Sequence, residues 1–241
     1  MNLKSSIKYQ LMDAKKSLII YYSIVYIILI AFIFLSPLSN SSLGGVETAS
    51  MIFLFIAGLN SFRETFQMFL QNSLSRRTLF KSYVLSIVPI TILMAFIDSI
   101  NGIIASSLAR YESAYVQSYG QRYLGNSTDI QLIIEGFLWY IFAYAFIAML
   151  GYFITILYYR MNKALKLLVS IGVPALFVIV LPIIDTNFTG GAISRAIGKF
   201  FMFAWGYSNG FNPYFSMVTC TIFFILFGGL SYLLMKKAII K

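Results

Sequence analysis

Of the 241 residues none is histidine, one is cysteine and only 11% are charged, with 18 Lys and Arg against 8 Asp and Glu. Without histidine, Ser-His nucleophiles, His-Glu-x-x-His peptidase sites and Cys/His zinc sites are excluded. The single cysteine, Cys220, has no disulfide partner and lies in an apolar run, so it reads as buried and inert. No Gly-x-x-x-x-Gly-Lys-Ser/Thr phosphate loop occurs, so ATP-driven work would need a separate subunit. An intramembrane aspartyl protease would need two carboxylates within the bilayer. Asp98 and Asp185 lack a Gly-x-Gly-Asp context and read as wet carboxylates at the ends of spans. Soluble domains carry about 25% charged residues. Here 59% of residues are hydrophobic and mean hydropathy is +0.82, so the chain is read as an all-α integral membrane protein.

About twenty apolar residues cross a bilayer core at 1.5 Å rise each. On that measure the chain forms one transmembrane domain over 1–241 with six spans, at about 18–37, 46–70, 83–106, 132–158, 167–184 and 214–235. The first run follows a polar, Lys-bearing stretch without a small-x-small cleavage site, so it reads as a retained span. Leu3, Ile7, Leu11, Ala14 and Leu18 share one face, which predicts an amphipathic interfacial helix over 1–17. Pro174 and Pro182 predict a kink or break in span five. Residues 107–131 read as a polar, Tyr-rich connection. Ile193, Ile197, Phe200, Phe201 and Ala204 recur at helical spacing, which predicts a re-entrant or interfacial helix between spans five and six.

Basic residues in short loops stay on the cytoplasmic side of a membrane. Thirteen of the 18 fall on one side: Lys4, Lys8, Lys15 and Lys16; Arg76, Arg77 and Lys81; Arg160, Lys163 and Lys166; Lys236, Lys237 and Lys241. Arg110, Arg122, Arg195 and Lys199 fall on the other, and Arg63 inside span two. Both termini are therefore expected in the cytoplasm. The net charge of +10 reads as a topological signal and a contact for anionic lipid. It is scattered over four short segments, so nucleic acid is not an expected partner. No internal repeat stands out.

Within span two, Asn60, Glu64, Gln67 and Gln71 follow i, i+4, i+7 and i+11, a polar stripe on one helix face, with Arg63 one position off it. Charged residues within a span cost roughly 2.5 to 3.5 kcal/mol each, so they face protein or water. Asn60, Arg63, Glu64 and Gln67 read as a translocation pathway or a subunit contact. The alternative for Arg63 and Glu64 is an ion pair near the cytoplasmic end, with Arg63 snorkelling to the interface.

The turn after span two reads Asn72-Ser73-Leu74-Ser75-Arg76-Arg77-Thr78-Leu79-Phe80-Lys81, with Ser75 placed to cap the next helix. This string resembles the Asn-Gly-x-Ser-Arg-x-x-x-Phe signature between spans two and three of six-span permease subunits in bacterial type-2 ABC transporters. It departs at Ser73, where that pattern favours Gly. The layout resembles the family across the whole chain: an interfacial first helix, six spans with both ends inside, a short basic turn after span two and an apolar outer segment before span six. The resemblance implies a multi-pass subunit of the bacterial cytoplasmic membrane, paired with a copy of itself or a sister permease. It also implies two ABC ATPase subunits, which would bind the ATP and Mg. Ser75, Arg76, Arg77 and Phe80 would form the coupling contact with the ATPase, and Arg160 to Lys166, including Lys163, a second one.

The chain is thus expected to be no enzyme in itself and to bind no cofactor. Its expected function is export of an amphiphilic substrate such as a hydrophobic or antimicrobial peptide or a drug. Two other readings stand beside it: a gradient-driven secondary transporter and a non-transporting membrane immunity protein.

Overall fold

The structure, a computed structural model, describes residues 2–39, 43–124 and 129–236, without the side chains of 35–39, 43, 63, 64, 70 and 129. Its elements in chain order are α1 (Leu3–Ser39), β1 (Leu43–Gly44), α2 (Val46–Asn60), α3 (Arg63–Gln71), α4 (Arg76–Leu108), β2 (Tyr111–Glu112) and α5 (Ala114–Tyr119). They continue with α6 (Asp129–Arg160), α7 (Lys163–Phe188), α8 (Ala192–Ala204) and α9 (Pro213–Lys236). The chain is all-α apart from the two-residue strands. Among the described residues, five helices are long and apolar enough to cross a membrane: α1, α4, α6, α7 and α9. Helix α2 is apolar but has 15 residues, which reach about 22 Å against a hydrocarbon core of about 30 Å.

Helix α6 is the centre of the bundle. Tyr144, Ala148, Met149, Tyr152 and Ile156 along it are fully buried, and α2, α4 and α9 pack against it while α1 packs on α4. Lipid tails are as apolar as leucine, so helices in a bilayer associate through close packing and hydrogen bonds. Both are present at the centre. A methyl group on Gly58 would come within 2.3 Å of the Ala148 carbonyl oxygen, and one on Gly151 within 2.3 Å of that of Phe55, so α2 and α6 touch backbone to backbone. Tyr83 of α4 stacks on Tyr152 at 3.7 Å between ring centroids and donates to the Ala148 carbonyl at 3.1 Å. The Trp139 indole N–H donates to Ser216 Oγ at 2.9 Å and ties in α9.

Several sequence expectations are revised. The stretch 3–17 is not a separate helix but the first part of the 37-residue α1. Its polar groups are used in packing: Gln10 donates to Ser82 Oγ at 3.1 Å and accepts from Ser86 Oγ at 2.6 Å. The expected second span, 46–70, divides at Ser61 and Phe62 into α2 and α3. The carbonyls freed at the end of α2 find partners. That of Ala57 accepts from Ser61 Oγ, that of Gly58 from the Ser61 N–H, and that of Leu59 from Thr155 Oγ1. Such satisfied carbonyls allow a helix to end inside a protein-packed membrane domain. Phe62, Phe66 and Phe69 then anchor α3, fully buried.

Pro174 and Pro182 do not break α7. A proline in a helix collides with the carbonyl four residues earlier and offers no N–H. Those carbonyls belong to Ser170 and Val178, which lie within π-helical turns at Leu168–Gly172 and Leu176–Val180, where the wider winding makes room. None of the apolar span of α7 is buried, and the Tyr158 hydroxyl of α6 lies 2.9 Å from Ser170 Oγ, tying this little-packed helix to the bundle.

The connection expected over 107–131 is folded. Strands β1 and β2 pair in parallel, with Leu43 opposite Tyr111 and Gly44 opposite Glu112, and α5 buries Tyr115 and Tyr119 against the bundle. Tyrosine combines a ring that packs with a hydroxyl that bonds, so a Tyr-rich polar stretch can be a cap as well as a loop. Residues 125–128 of that connection lie outside the described residues. Helix α8 forms where the apolar spacing predicts a helix. A tight turn follows it at Gly206, which has φ 78° and the carbonyl oxygen of Asn212 only 2.1 Å from where a Cβ would stand.

Candidate functional site

The predicted coupling residues of the turn before α4 lie where α9 ends. Ser75 is the N-cap of α4: its backbone is extended (φ −69°, ψ 146°) and its Oγ accepts from the Thr78 N–H at 3.1 Å. Ser73, two residues earlier, has φ 58°, in the left-handed region that L side chains rarely adopt. Leu74 and Leu79 are buried and fix the turn to the bundle, while Asn72, Ser73, Ser75 and Arg77 are exposed. Arg76 Nη1 donates to the Lys236 carbonyl at 2.6 Å, bonding the last turn of α9 to the start of α4. Phe80 lies 5.4 Å from the Tyr232 ring, between ring centroids. Arg160, Lys163 and Lys166 are exposed where α6 passes into α7, and Asn162 caps α7 by accepting from the Leu165 N–H at 2.8 Å. Lys237 and Lys241 of the basic set lie outside the described residues.

Asn60 and Gln67 are not brought together. Asn60 lines a cavity of about 200 Å³ between α1, α2 and α4. Gln67, on α3, lines a different one of about 480 Å³ with Thr155, Tyr158 and Lys166. The break at Ser61 and Phe62 separates the two faces, so the polar stripe does not run down one helix. Arg63 and Glu64 start α3, and their side chains lie outside those described.

The opposite end holds a constellation that the sequence reading did not assemble. Glu47, in the first turn of α2, and Asp98, ten residues before the end of α4, are 2% and 4% exposed. Asp98 is not a wet end-of-span carboxylate. Its Oδ1 accepts from the Tyr22 hydroxyl at 3.0 Å and its Oδ2 from the Tyr144 hydroxyl at 2.5 Å, joining α1, α4 and α6. Tyr144 also lies 3.4 Å from the Glu47 backbone carbonyl. Glu47 Oε2 accepts from the Ala114 N–H at 3.1 Å, which pins α5 to α2, while Oε1 is buried without a hydrogen-bond partner. Among the described residues, no Lys or Arg bonds to either carboxylate. Beside them opens a cavity of about 550 Å³.

Two other carboxylates are saturated. Glu135 on α6 accepts from the hydroxyls of Tyr123, Tyr115 (3.3 Å) and Tyr214 (3.0 Å) and from Gln131 Nε2 (2.9 Å), clasping the α5 cap to α6 and α9. Burial pushes the Tyr123 hydroxyl up to about 12, so it remains a neutral donor. Asp185 is likewise not wet. Its oxygens accept from the N–H groups of Ile193 (2.8 Å) and Ser194 (2.9 Å) and from the hydroxyls of Thr189 and Ser194, so it caps α8 from the end of α7. It shares no hydrogen-bond partner with Asp98. Among the described residues, no group of three or more His, Cys, Asp and Glu side chains is placed to hold a metal ion.

Comparison of the chain with protein-family models, with curated proteins and with solved structures gives no match.

Proposed function

We propose that the chain is the transmembrane permease subunit of an ATP-driven exporter of the type-2 ABC class, moving an amphiphilic substrate. The observation that carries this reading is the backbone of the turn before α4. The resembled signature favours Gly where this chain has Ser73, and Ser73 adopts φ 58°, the conformation glycine takes without steric cost. The serine two residues on caps the following helix, as a helix-starting turn requires. A left-handed backbone at this position is what a glycine-favouring signature would select, and it supports the reading.

In this reading α2 with α3 makes the sixth crossing, both termini are cytoplasmic, and the protein resides in the bacterial cytoplasmic membrane. The exposed Arg77, with Ser75, Arg76 and Phe80 behind it, meets an ATPase subunit that binds ATP and Mg. Arg160 and Lys163 form a second contact. Helix α7, which buries none of its span within the chain, is left for a second permease subunit, a copy or a sister chain. Helix α8 lies re-entrant or interfacial on the outer side, and the Lys-bearing start of α1 lies at the inner leaflet.

Affinity purification from membranes in mild detergent is the test. Recovery of an ATPase subunit with the wild-type chain, and loss of transport on replacing Arg76 and Arg77, is the expected result. No ATPase, together with unchanged transport, would remove the proposal. One observation favours a second reading, a gradient-driven transporter: Glu47 and Asp98 are buried ionisable groups in helices of the bundle. Uptake by the lone chain in liposomes that follows an imposed ion gradient would favour it.

A further inference from the structure

We infer that the cavity beside Glu47 and Asp98 is a binding site for the ammonium group of an amphiphilic amine, with Glu47 Oε1 as its acceptor. This deepens the permease reading by naming a substrate class, and rests on that reading for transport but not for binding.

The carboxylate is fixed, because Oε2 is held by the Ala114 N–H. Its other oxygen is buried with no donor in hydrogen-bonding geometry, in a residue 2% exposed, and the Tyr111 and Tyr140 hydroxyls lie close to the carboxylate. A buried carboxylate oxygen without a donor is costly, and so is a buried carboxylate without a counter-charge. Oε1 lies against Gly102, where a Cβ would stand 3.4 Å from it, and Glu47 and Gly102 both line the cavity, so a small turn of the Glu47 side chain past the missing side chain would bring the oxygen to the cavity. Ser99 Oγ, on the same wall, is also buried without a partner.

The cavity has about 550 Å³, within the range of small-molecule sites. Ile103, Leu132, Ile133 and Phe137 give it apolar walls, and Tyr140 also lines it. A metal ion would leave those walls unused, and among the described residues no set of ligands for one is present. A proton alone would neutralise Glu47 but fill none of the volume. An ammonium on an apolar chain does both: it donates to Oε1, supplies the counter-charge and covers the walls. A free amphiphilic amine and a phospholipid with an ammonium headgroup share this chemistry.

The test uses the full chain in nanodiscs of phosphatidylglycerol, a lipid without an ammonium group, titrated with octylammonium and, separately, with octanol, by native mass spectrometry. The expected result is saturable octylammonium binding, weakened about tenfold or more by Glu47→Gln and by Gly102→Leu, which fills the cavity and leaves Glu47 in place. Asp13→Asn, at the other end of the bundle, should leave binding unchanged. Repeating the titration in phosphatidylethanolamine nanodiscs separates the sources. Weaker octylammonium binding there makes the lipid a competing occupant, and unchanged binding makes the free amine the preferred one; either outcome supports the shared chemistry. Absent or non-saturable binding, equal binding by octanol, or equal affinity of wild type, Glu47→Gln and Gly102→Leu would overturn the inference. Failed binding with an ATPase recovered would remove this site and leave the permease reading; intact binding with no ATPase would do the reverse.

Discussion

Gly58 on α2 and Gly151 on α6 lie where each helix runs against the backbone of the other, and a methyl group on either would stand 2.3 Å from a main-chain carbonyl oxygen across the contact. No flexible side chain is there to move aside. The contact secures the short helix α2, and with it Glu47 and Asn60, to the centre of the bundle.

Substituting Gly58→Ala or Gly151→Ala should therefore force α2 and α6 apart and destabilise the protein by about 1 to 3 kcal/mol. Gly229→Ala, on α9 with nothing within 4 Å of its Cβ position, should be neutral. Thermal unfolding of the three variants in one detergent checks the ranking.

Ser73 carries a side chain in a left-handed backbone position. Replacing it with glycine removes a steric cost in the folded state, partly offset by greater freedom of the unfolded chain, so Ser73→Gly should stabilise by up to about 1 kcal/mol. Ser73→Val should do the opposite. Melting temperatures decide the sign.

Asp98 is held by hydroxyls from two other helices, Tyr22 and Tyr144. Tyr144→Phe removes the donor to Oδ2 and leaves that oxygen buried, a loss of about 1 to 3 kcal/mol. Thermal unfolding of Tyr144→Phe together with Asp98→Asn and the double variant measures the coupling. Losses in the double variant smaller than the sum of the two singles would confirm that the pair acts as one unit.

How much of this was legible in the sequence follows from how local each cause is. The long apolar runs predict the helices, and the spacing of Ile193, Ile197, Phe200 and Phe201 predicts α8, because periodicity is a property of neighbours. Ser75 as a cap was legible for the same reason. The break after Asn60 was not, since the carbonyl of Leu59 is satisfied by Thr155, 96 residues away. Asp98 was misread because Tyr22 and Tyr144 are 76 and 46 residues distant. Its depth within α4 was the one available signal, since a carboxylate well inside an apolar helix needs a partner. Glu47 stands at the edge of a Gly-Gly turn, where a carboxylate reads as solvated, and residues far along the chain, Ala114 and Gly102 among them, surround it. Pro174 and Pro182 suggested a kink or break because sequence shows the missing N–H but not the π-helical turns that keep the helix continuous.

Asp185→Ala should leave the bundle assembled and loosen α8, whose first N–H groups would lose their acceptor. Hydrogen exchange is expected to speed up at Ile193 and Ser194 and to remain slow in α6. Unchanged exchange at those two amides would show that the cap contributes nothing to the helix.

The central claim is that the turn before α4 docks an ATP-hydrolysing subunit, and a photo-crosslinking amino acid in place of Arg77 tests it most directly. Arg77 is exposed and part of no hydrogen bond described within the chain, so the replacement should leave folding intact. Illumination in membranes should join the chain to an ATPase subunit from that position and not from Ser107, at the opposite end. Crosslinks to lipid alone from both positions would contradict the account.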